Sequence, residues 1–247
     1  MKGSSTNTHT IWFALSNDKT YTIDRVKVKH WKEIKNLLGN DDLESCVKIV
    51  SVLAECPQEE LLDNMNFAAF KKLYQDIVEK VFNNTDAPFV NSLHLEGQDY
   101  AFFDFAKMTL GEMSNLDIFF KDESDNSINE VLSVMYRPVI DNTLRGFKVE
   151  EYDSDKCAAR QHLFDEVDVR VYKGASSFFL ATAESCNLIT LRYLAKKEKN
   201  WKTRKKLLSL HKTLSRAGTK SSYNLPEETF SRLKQSRDLI TRLLSTT

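Results

Sequence analysis

Between Tyr100 and Val139 the apolar pattern passes from a dense aromatic run to helical spacing, and a capping or breaking residue marks each change. Tyr-Ala-Phe-Phe-Asp-Phe, from Tyr100 to Phe105, predicts a strand with one well-buried face. Leu93 to Glu96 precedes it and Gly97-Gln98 supplies a turn, so the two runs predict a β-hairpin. Thr109 and Glu112 stand at capping-box spacing: the hydroxyl accepts an orphan N–H, and the carboxylate reaches back to the cap. Leu110, Met113, Leu116, Phe119 and Phe120 follow at helical spacing. Ser127 and Glu130 repeat the signature ahead of Ile128, Val131, Leu132, Met135 and Tyr136. Pro138 stops this second helix, because it lacks the N–H a helix interior needs and disfavours helical backbone at Arg137.

The rest of the chain is short of breakers. Seven glycines and four prolines in 247 residues leave helices to dominate. The expected fold class is mainly α with small β-hairpins (α+β), arranged as helical bundle units. The length allows one large domain or two small ones, with a core that needs no staples. Cys46, Cys56, Cys157 and Cys186 are scattered without a C-x-x-C pair, and read as buried thiols of a reducing compartment. No apolar run approaches the ~18 residues of a membrane-spanning helix. Met1 to Thr10 is polar and lacks the apolar core of a signal peptide, which predicts a disordered arm over residues 1–10.

Taken in order, Ile11 to Leu15 and Thr20 to Asp24 are β-prone runs around Ser16-Asn17-Asp18-Lys19, a second hairpin. Val28, Trp31, Ile34, Leu37 and Leu38 line a helix stopped by Gly39. Asp41 or Asp42 caps the next, with Leu43, Val47, Val50 and Leu53 inward. Pro57 suits the first turn of a short helix. Phe67 to Phe82 makes another, so residues 11–84 form a small hairpin plus a helical unit. A linker with Pro88 follows, and residues 91–195 form a central α+β unit. In it Asn142 to Gly146 reads as a loop and Phe147 to Tyr152 as a strand that adds to the hairpin. From Lys156 on, every segment reads as helix. Val167 to Ala195 is apolar nearly all round near Phe178, as in a central buried helix, and Gly174 and Ala175 allow a neighbour to pack closely there. Residues 196–247 form a basic helical extension, with a linker at Ala217 to Asn224 and a last helix at Glu227 to Leu244.

No catalytic motif stands out. There is no G-x-G-x-x-G and no P-loop. Gly174-Ala175-Ser176-Ser177-Phe178 resembles half a nucleophile elbow, but the second glycine is missing and the spacing is helical, so helix packing is the preferred reading. A serine hydrolase using Ser176 or Ser177 is the least favoured alternative. His9, His30, His94, His162 and His211 show none of the spacings of a metal site. The acidic groups Asp122-Glu123-Ser124-Asp125 and Glu150-Glu151-Tyr152-Asp153 lack the EF-hand pattern and read as solvated loops. No catalytic residue, metal or cofactor is expected.

Charge supplies the one functional signal. The chain has 35 basic and 35 acidic residues, but Leu191 to Thr247 holds 15 of the former and 4 of the latter. Such asymmetry points to an electrostatic partner: a protein, nucleic acid, or the chain's own acidic body. The candidate contacts are Lys196, Lys197, Lys199, Trp201, Lys202, Arg204, Lys205 and Lys206. Cations interleaved with an aromatic ring suit phosphate and base contacts. They equally suit an acidic protein surface, or a solvated helix with no partner. A membrane surface is disfavoured, since the apolar residues are interrupted and no lipidation signal is present.

Met-Thr-Leu-Gly-Glu-Met-Ser-Asn-Leu-Asp (Met108 to Asp117), Ile-Asn-Glu-Val-Leu-Ser-Val-Met-Tyr-Arg-Pro-Val (Ile128 to Val139) and Gly-Ala-Ser-Ser-Phe-Phe-Leu (Gly174 to Leu180) together resemble a pattern of tailed-phage proteins of tail and virion assembly, some of them tail assembly chaperones. The resemblance spans roughly residues 100 to 190. It implies a non-enzymatic role in the host cytoplasm or the virion: binding a long helical tail protein, or forming part of the particle. The family offers no catalytic residues to carry over. The basic extension departs from its pattern and keeps nucleic acid open as a partner.

Overall fold

A computed structural model describes residues 10–40, 42–82, 87–122, 124, 126–143, 146–197 and 199–218. The expected arm over residues 1–10, apart from Thr10, and the expected helix Glu227 to Leu244 lie outside them. The described residues are mainly helical with two small antiparallel sheets, matching the α+β expectation.

The chain opens with a hairpin of β1 (Ile11–Ala14) and β2 (Thr20–Ile23), in register Ile11 to Ile23. Four helices follow: α1 (Val28–Ile34), α2 (Leu43–Ala54), α3 (Gln58–Asn64) and α4 (Phe67–Ile77). Asp42 caps α2 by accepting from the Ser45 amide at 2.8 Å, and Asn66 caps α4 by accepting from Ala69 at 2.9 Å. Such caps satisfy amides that have no intrahelical partner. The last turn of α4 widens into a π-helical segment, Val78–Phe82.

The second sheet has the order β3 (Ser92–Leu95), β4 (Gln98–Phe102), β5 (Tyr136–Thr143) and β6 (Gly146–Val149). The turn between β3 and β4 sits at Glu96-Gly97, both with positive φ, one residue earlier than expected. Between β4 and β5 lie α5 (Leu110–Phe119) and α6 (Ser127–Met135). The capping box at Thr109 and Glu112 forms in both directions. The one expected at Ser127 and Glu130 does not. Asn126 holds the cap position, and the Ser127 hydroxyl turns back to donate to Ser124 O at 3.0 Å. Leu110 also departs from its expected inward face, at 90% exposed.

α6 ends at Met135, earlier than the proline requires, and the chain enters β5 at the next residue. β5 then runs through Asn142 and Thr143, which were expected in a loop. β4 pairs with Tyr136 to Pro138, whereas β6 pairs from Val139 onward beside a register shift. Pro138 thus sits where the pairing changes hands, a place where a missing N–H is tolerated. Its carbonyl still accepts the Glu150 amide at 2.9 Å. β6 joins the hairpin as expected, but with β5 in between.

α7 (Ser154–Ala159) and a 3₁₀ segment (Gln161–Glu166) lead into α8 (Val169–Lys197) and α9 (Trp201–Gly218). At 29 residues α8 is a rod about 43 Å long. Its first half lies in one hydrophobic core that runs from Ile11 to Ala183, so the expected N-terminal and central units share their interior. The Phe179 ring sits 6.3 Å from Phe103, 5.5 Å from Phe105 and 6.0 Å from Phe120. Phe178 differs from its expected full burial: it stacks on Phe89 at 4.0 Å yet stays 41% exposed. Gly174 packs as closely as expected, because a Cβ there would lie 2.5 Å from Pro88 O and 2.8 Å from Ala87 O. Ser176 is buried inside α8, away from any strand-to-helix turn.

Among the described residues the deepest ion pair joins α5 to β5. Arg137 Nη2 donates to Glu112 Oε1 at 3.0 Å, with the residues 6% and 2% exposed. Glu112 Oε2 accepts the Thr109 amide. Burial pulls the Arg137 guanidinium down from its ordinary pKa, and the Glu112 charge opposes that.

Two substitutions test this packing. Gly174→Ala will lower stability by about 1–3 kcal/mol, because backbone carbonyls must move to admit the methyl group, and thermal unfolding will read it as a lower Tm. Arg137→Leu will lower urea-unfolding stability by ~3–5 kcal/mol by leaving Glu112 charged and alone, and adding Glu112→Gln will restore part of the loss.

Candidate functional site

The expected contact residues fall at one end of the molecule. Lys196 and Lys197 end α8, Lys199 lies in the connection, and Trp201, Lys202, Arg204, Lys205 and Lys206 open α9. α9 packs on the outer half of α8 through a small cluster of Leu191, Ala195 and Leu207, with Leu194 beside it. α9 continues to Gly218, two residues into the linker expected at Ala217 to Asn224, and the rest of that linker lies outside the described residues.

Asn200 starts α9. Its side-chain oxygen accepts from the Lys202 amide at 3.0 Å, and its carbonyl accepts from the Arg204 amide at 2.9 Å. The first turn of α9 has no acidic residue. Helix starts usually carry Asp or Glu, because the unpaired amides make that end positive. Here cations are added to it instead. Among the described residues, no carboxylate pairs with Lys196, Lys197, Lys199, Lys202, Arg204, Lys205 or Lys206.

Apolar groups share this end. Trp201 is 69% exposed, and Leu208 follows seven residues later on the same helix face. Lys205 lies over the Trp201 ring at 5.5 Å. On α8, Ile189 and Tyr193 are exposed four residues apart, and Lys197 lies over the Tyr193 ring at 5.4 Å. Each helix of the pair therefore carries an exposed apolar stripe with a cation folded onto it. Sequence reasoning found the cations and Trp201. It missed Ile189 and Leu208 as surface groups, because their helical spacing reads equally well as an inner face.

A second feature was not anticipated. A cavity of about 320 Å³ opens between the start of α8, the end of α1 and the π-helical segment. Four separated stretches line it, at residues 24–26, 31–39, 74–82 and 168–173. Its floor is a short antiparallel join: Val28 N donates to Val167 O and Val169 N to Val26 O, each at 2.8 Å. An ion-pair network braces this join. Lys27 and Lys29 reach Glu55 at 2.9 and 3.0 Å, and reach Glu166 at 2.9 and 2.6 Å. Buried His30 lies with Nε2 3.1 Å from Glu55 Oε1, and burial lowers its pKa.

The acidic groups singled out in the sequence have structural partners where they are described. Glu150 accepts from Lys156 and Arg160, each at 2.8 Å. Asp153 caps α7, and Asp122 accepts from the Ser124 amide at 3.0 Å. Among the described residues no group of His, Cys, Asp and Glu has the arrangement of a metal site. Cys56 and Cys157 are buried and Cys46 half-buried, while Cys186 is exposed, against expectation. No helix among the described residues is long and apolar enough to cross a membrane.

The network at the cavity floor gives stability a pH dependence. Hydrogen bonds from Lys27 and Lys29 hold Glu55 at about 2, below its ordinary 4.5. Its contribution is complete above pH ~4.5 and disappears as pH falls towards ~2. Because Glu55 is half exposed, screening holds that contribution to about 1 kcal/mol or less. In urea unfolding, the stability difference between the wild type and Glu55→Gln will be present at pH 6 and will shrink across that window; a difference that stays constant contradicts the assignment. Compared with protein-family models, curated proteins and solved structures, the chain finds no match.

Proposed function

We propose that the protein is a non-enzymatic binding protein that holds an acidic, amphipathic helix of a second protein on the α8–α9 pair. This is the role that the likeness to tail assembly chaperones implies, with a long helical tail protein as the client and the host cytoplasm or the virion as the setting. One observation carries the reading: Tyr193 and Ile189 on α8, and Trp201 and Leu208 on α9, are exposed beside cations that no described carboxylate neutralises. An apolar stripe at i, i+4 or i, i+7 is the pattern by which one helix receives another. The aromatic anchors supply affinity, and the cations supply steering and partner choice. A client with carboxylates beside its apolar face meets both requirements. Its charge also relieves the positive start of α9.

Nucleic acid is the second reading. It is favoured by Trp201, an exposed ring among Lys202, Arg204, Lys205 and Lys206 on which a base can stack. The two readings differ in what removes the partner. An affinity pull-down of the tagged protein from its producing cells, with and without nuclease, is the first experiment. The proposal expects one long, acidic, helical protein retained after nuclease, and lost both with Tyr193→Ser plus Trp201→Ser and with charge reversal at Lys202, Arg204, Lys205 and Lys206. Loss of the partner with nuclease, together with an affinity for single-stranded DNA that falls steeply with salt, replaces it with the nucleic-acid reading. A partner retained by both sets of variants overturns the assignment to this surface.

A further inference from the structure

The cavity between α1, α4 and α8 has a composition that its structural role does not explain. Its charged lining holds four cations, Arg25, Lys80, Arg170 and Lys173, against Asp24 and Asp168. Three of the four have carboxylate partners. Arg170 is clamped on Asp168, with its Nε 2.9 Å from one oxygen and 3.1 Å from the other, and its Nη2 at 2.5 Å. Lys80 reaches Asp76 at 3.5 Å and Arg25 reaches Asp24 at 3.9 Å. Lys173 has no carboxylate partner among the described residues, and its ammonium lies over the Trp31 ring at 5.1 Å. The protein packed around its ammonium pulls its pKa below the ordinary value, against the pull of Asp168, although the residue as a whole is exposed.

The rest of the lining is apolar and aromatic, with Trp31, Tyr74 and Phe82 among it. One wall is the π-helical segment Val78–Phe82. A π turn is rare and is frequently found at functional sites. A volume of about 320 Å³ lies at the lower end of the range for small-molecule pockets.

We propose that this cavity binds a small organic carboxylic acid with a planar apolar body, its carboxylate on the Lys173 ammonium and its body against Trp31, Tyr74 and Phe82. The head group follows from the donors. A single ammonium suits a monoanion, whereas a phosphate dianion is better met by free guanidinium forks, and the Arg170 fork is already occupied. The planar body follows from the aromatic lining, and from a cation that already rests on an aromatic face. Lys173 is exposed at the rim of the cavity, so its ion pair with a ligand is screened by water and supplies orientation, while the aromatic lining supplies most of the affinity. This site is separate from the α8–α9 surface and stands whether or not that surface binds a helix.

Isothermal titration of the full chain with 1-naphthoate tests it, beside 1-naphthamide and 1-naphthyl phosphate. The expected result is binding of the carboxylate, weakened at least tenfold in the neutral amide and at least tenfold by Lys173→Met, with Lys173→Arg retaining most of it. Circular dichroism and Tm of the variants establish that each is folded. Trp31→Leu is a second variant that weakens binding of the body while leaving the preference for carboxylate over amide. Equal binding of acid and amide, or Lys173→Met without effect, overturns the head-group assignment. Tighter binding of the phosphate does the same. No binding of 1-naphthoate at millimolar concentration overturns the site.

Discussion

The buried pair of Glu112 and Arg137 ties two parts of the chain that have no other reason to agree. Glu112 is the third residue of α5 and completes its cap; Arg137 is the second residue of β5. A lone charge at this depth costs several kcal/mol, so neither end can shift without the other. A slip of β5 by one residue would turn Arg137 to the opposite face of the sheet. A further turn of α6 would aim it elsewhere again. The helix therefore ends at Met135 and becomes strand without a linker. The Phe103 ring, 5.6 Å from the guanidinium, takes up its remaining face. The Tyr136 hydroxyl, donating to Val90 O at 2.5 Å, secures the same corner from the other side of the backbone.

What was legible in the sequence was what depends on neighbours in the chain. The Thr109–Glu112 box needs only its own turn, and it formed. Ser127 and Glu130 have the same spelling, yet Asn126 stands one residue earlier and takes the cap position, so the same letters give a different start. Gly174 was legible as a close approach, though not what approached it. β5 was not legible, because Tyr-Arg-Pro-Val-Ile-Asp-Asn-Thr contains a proline and does not alternate. It is a strand because β4 claims its first residues and β6 its last. The cavity was invisible for the same reason: its lining comes from four stretches, and none of them alone reads as a site. The basic end was readable because its cations crowd one short stretch of sequence, from the end of α8 to the start of α9.

α8 links the two kinds of structure in this molecule. Its first half has Gly174, Ala175 and Ala183 where neighbours press closest, and large rings where the sheet leaves room. Beyond Ala183 the helix depends less on the body. Thr182 and Ser185 return their hydroxyls to Phe178 O and Ala181 O, each at 2.8 Å, a bond that weakens and bends a helix slightly. The outer half is then held with α9 by Leu191, Ala195 and Leu207. So small a core adds little to an 18-residue helix that would be marginal alone in water. Local stability therefore falls from the sheet outward along one continuous rod.

On the proposed reading, the surface charge gives this gradient a use. At the start of α9 the positive end of the helix, Lys202, Arg204 and Lys205 all carry the same sign, and each raises the cost of the others. The acidic excess of the body does not answer it: among the described residues no carboxylate pairs with these cations, and Glu55, Glu150 and Glu166 pair with others. An anionic partner would remove the repulsion and stabilise α9 in the same step, since whatever binds the folded arm and not the frayed one adds its binding energy to folding. Affinity and order at this end are thus one quantity. The loosely held arm can adjust to the surface it meets, while the Glu112–Arg137 corner keeps the base of the rod in place.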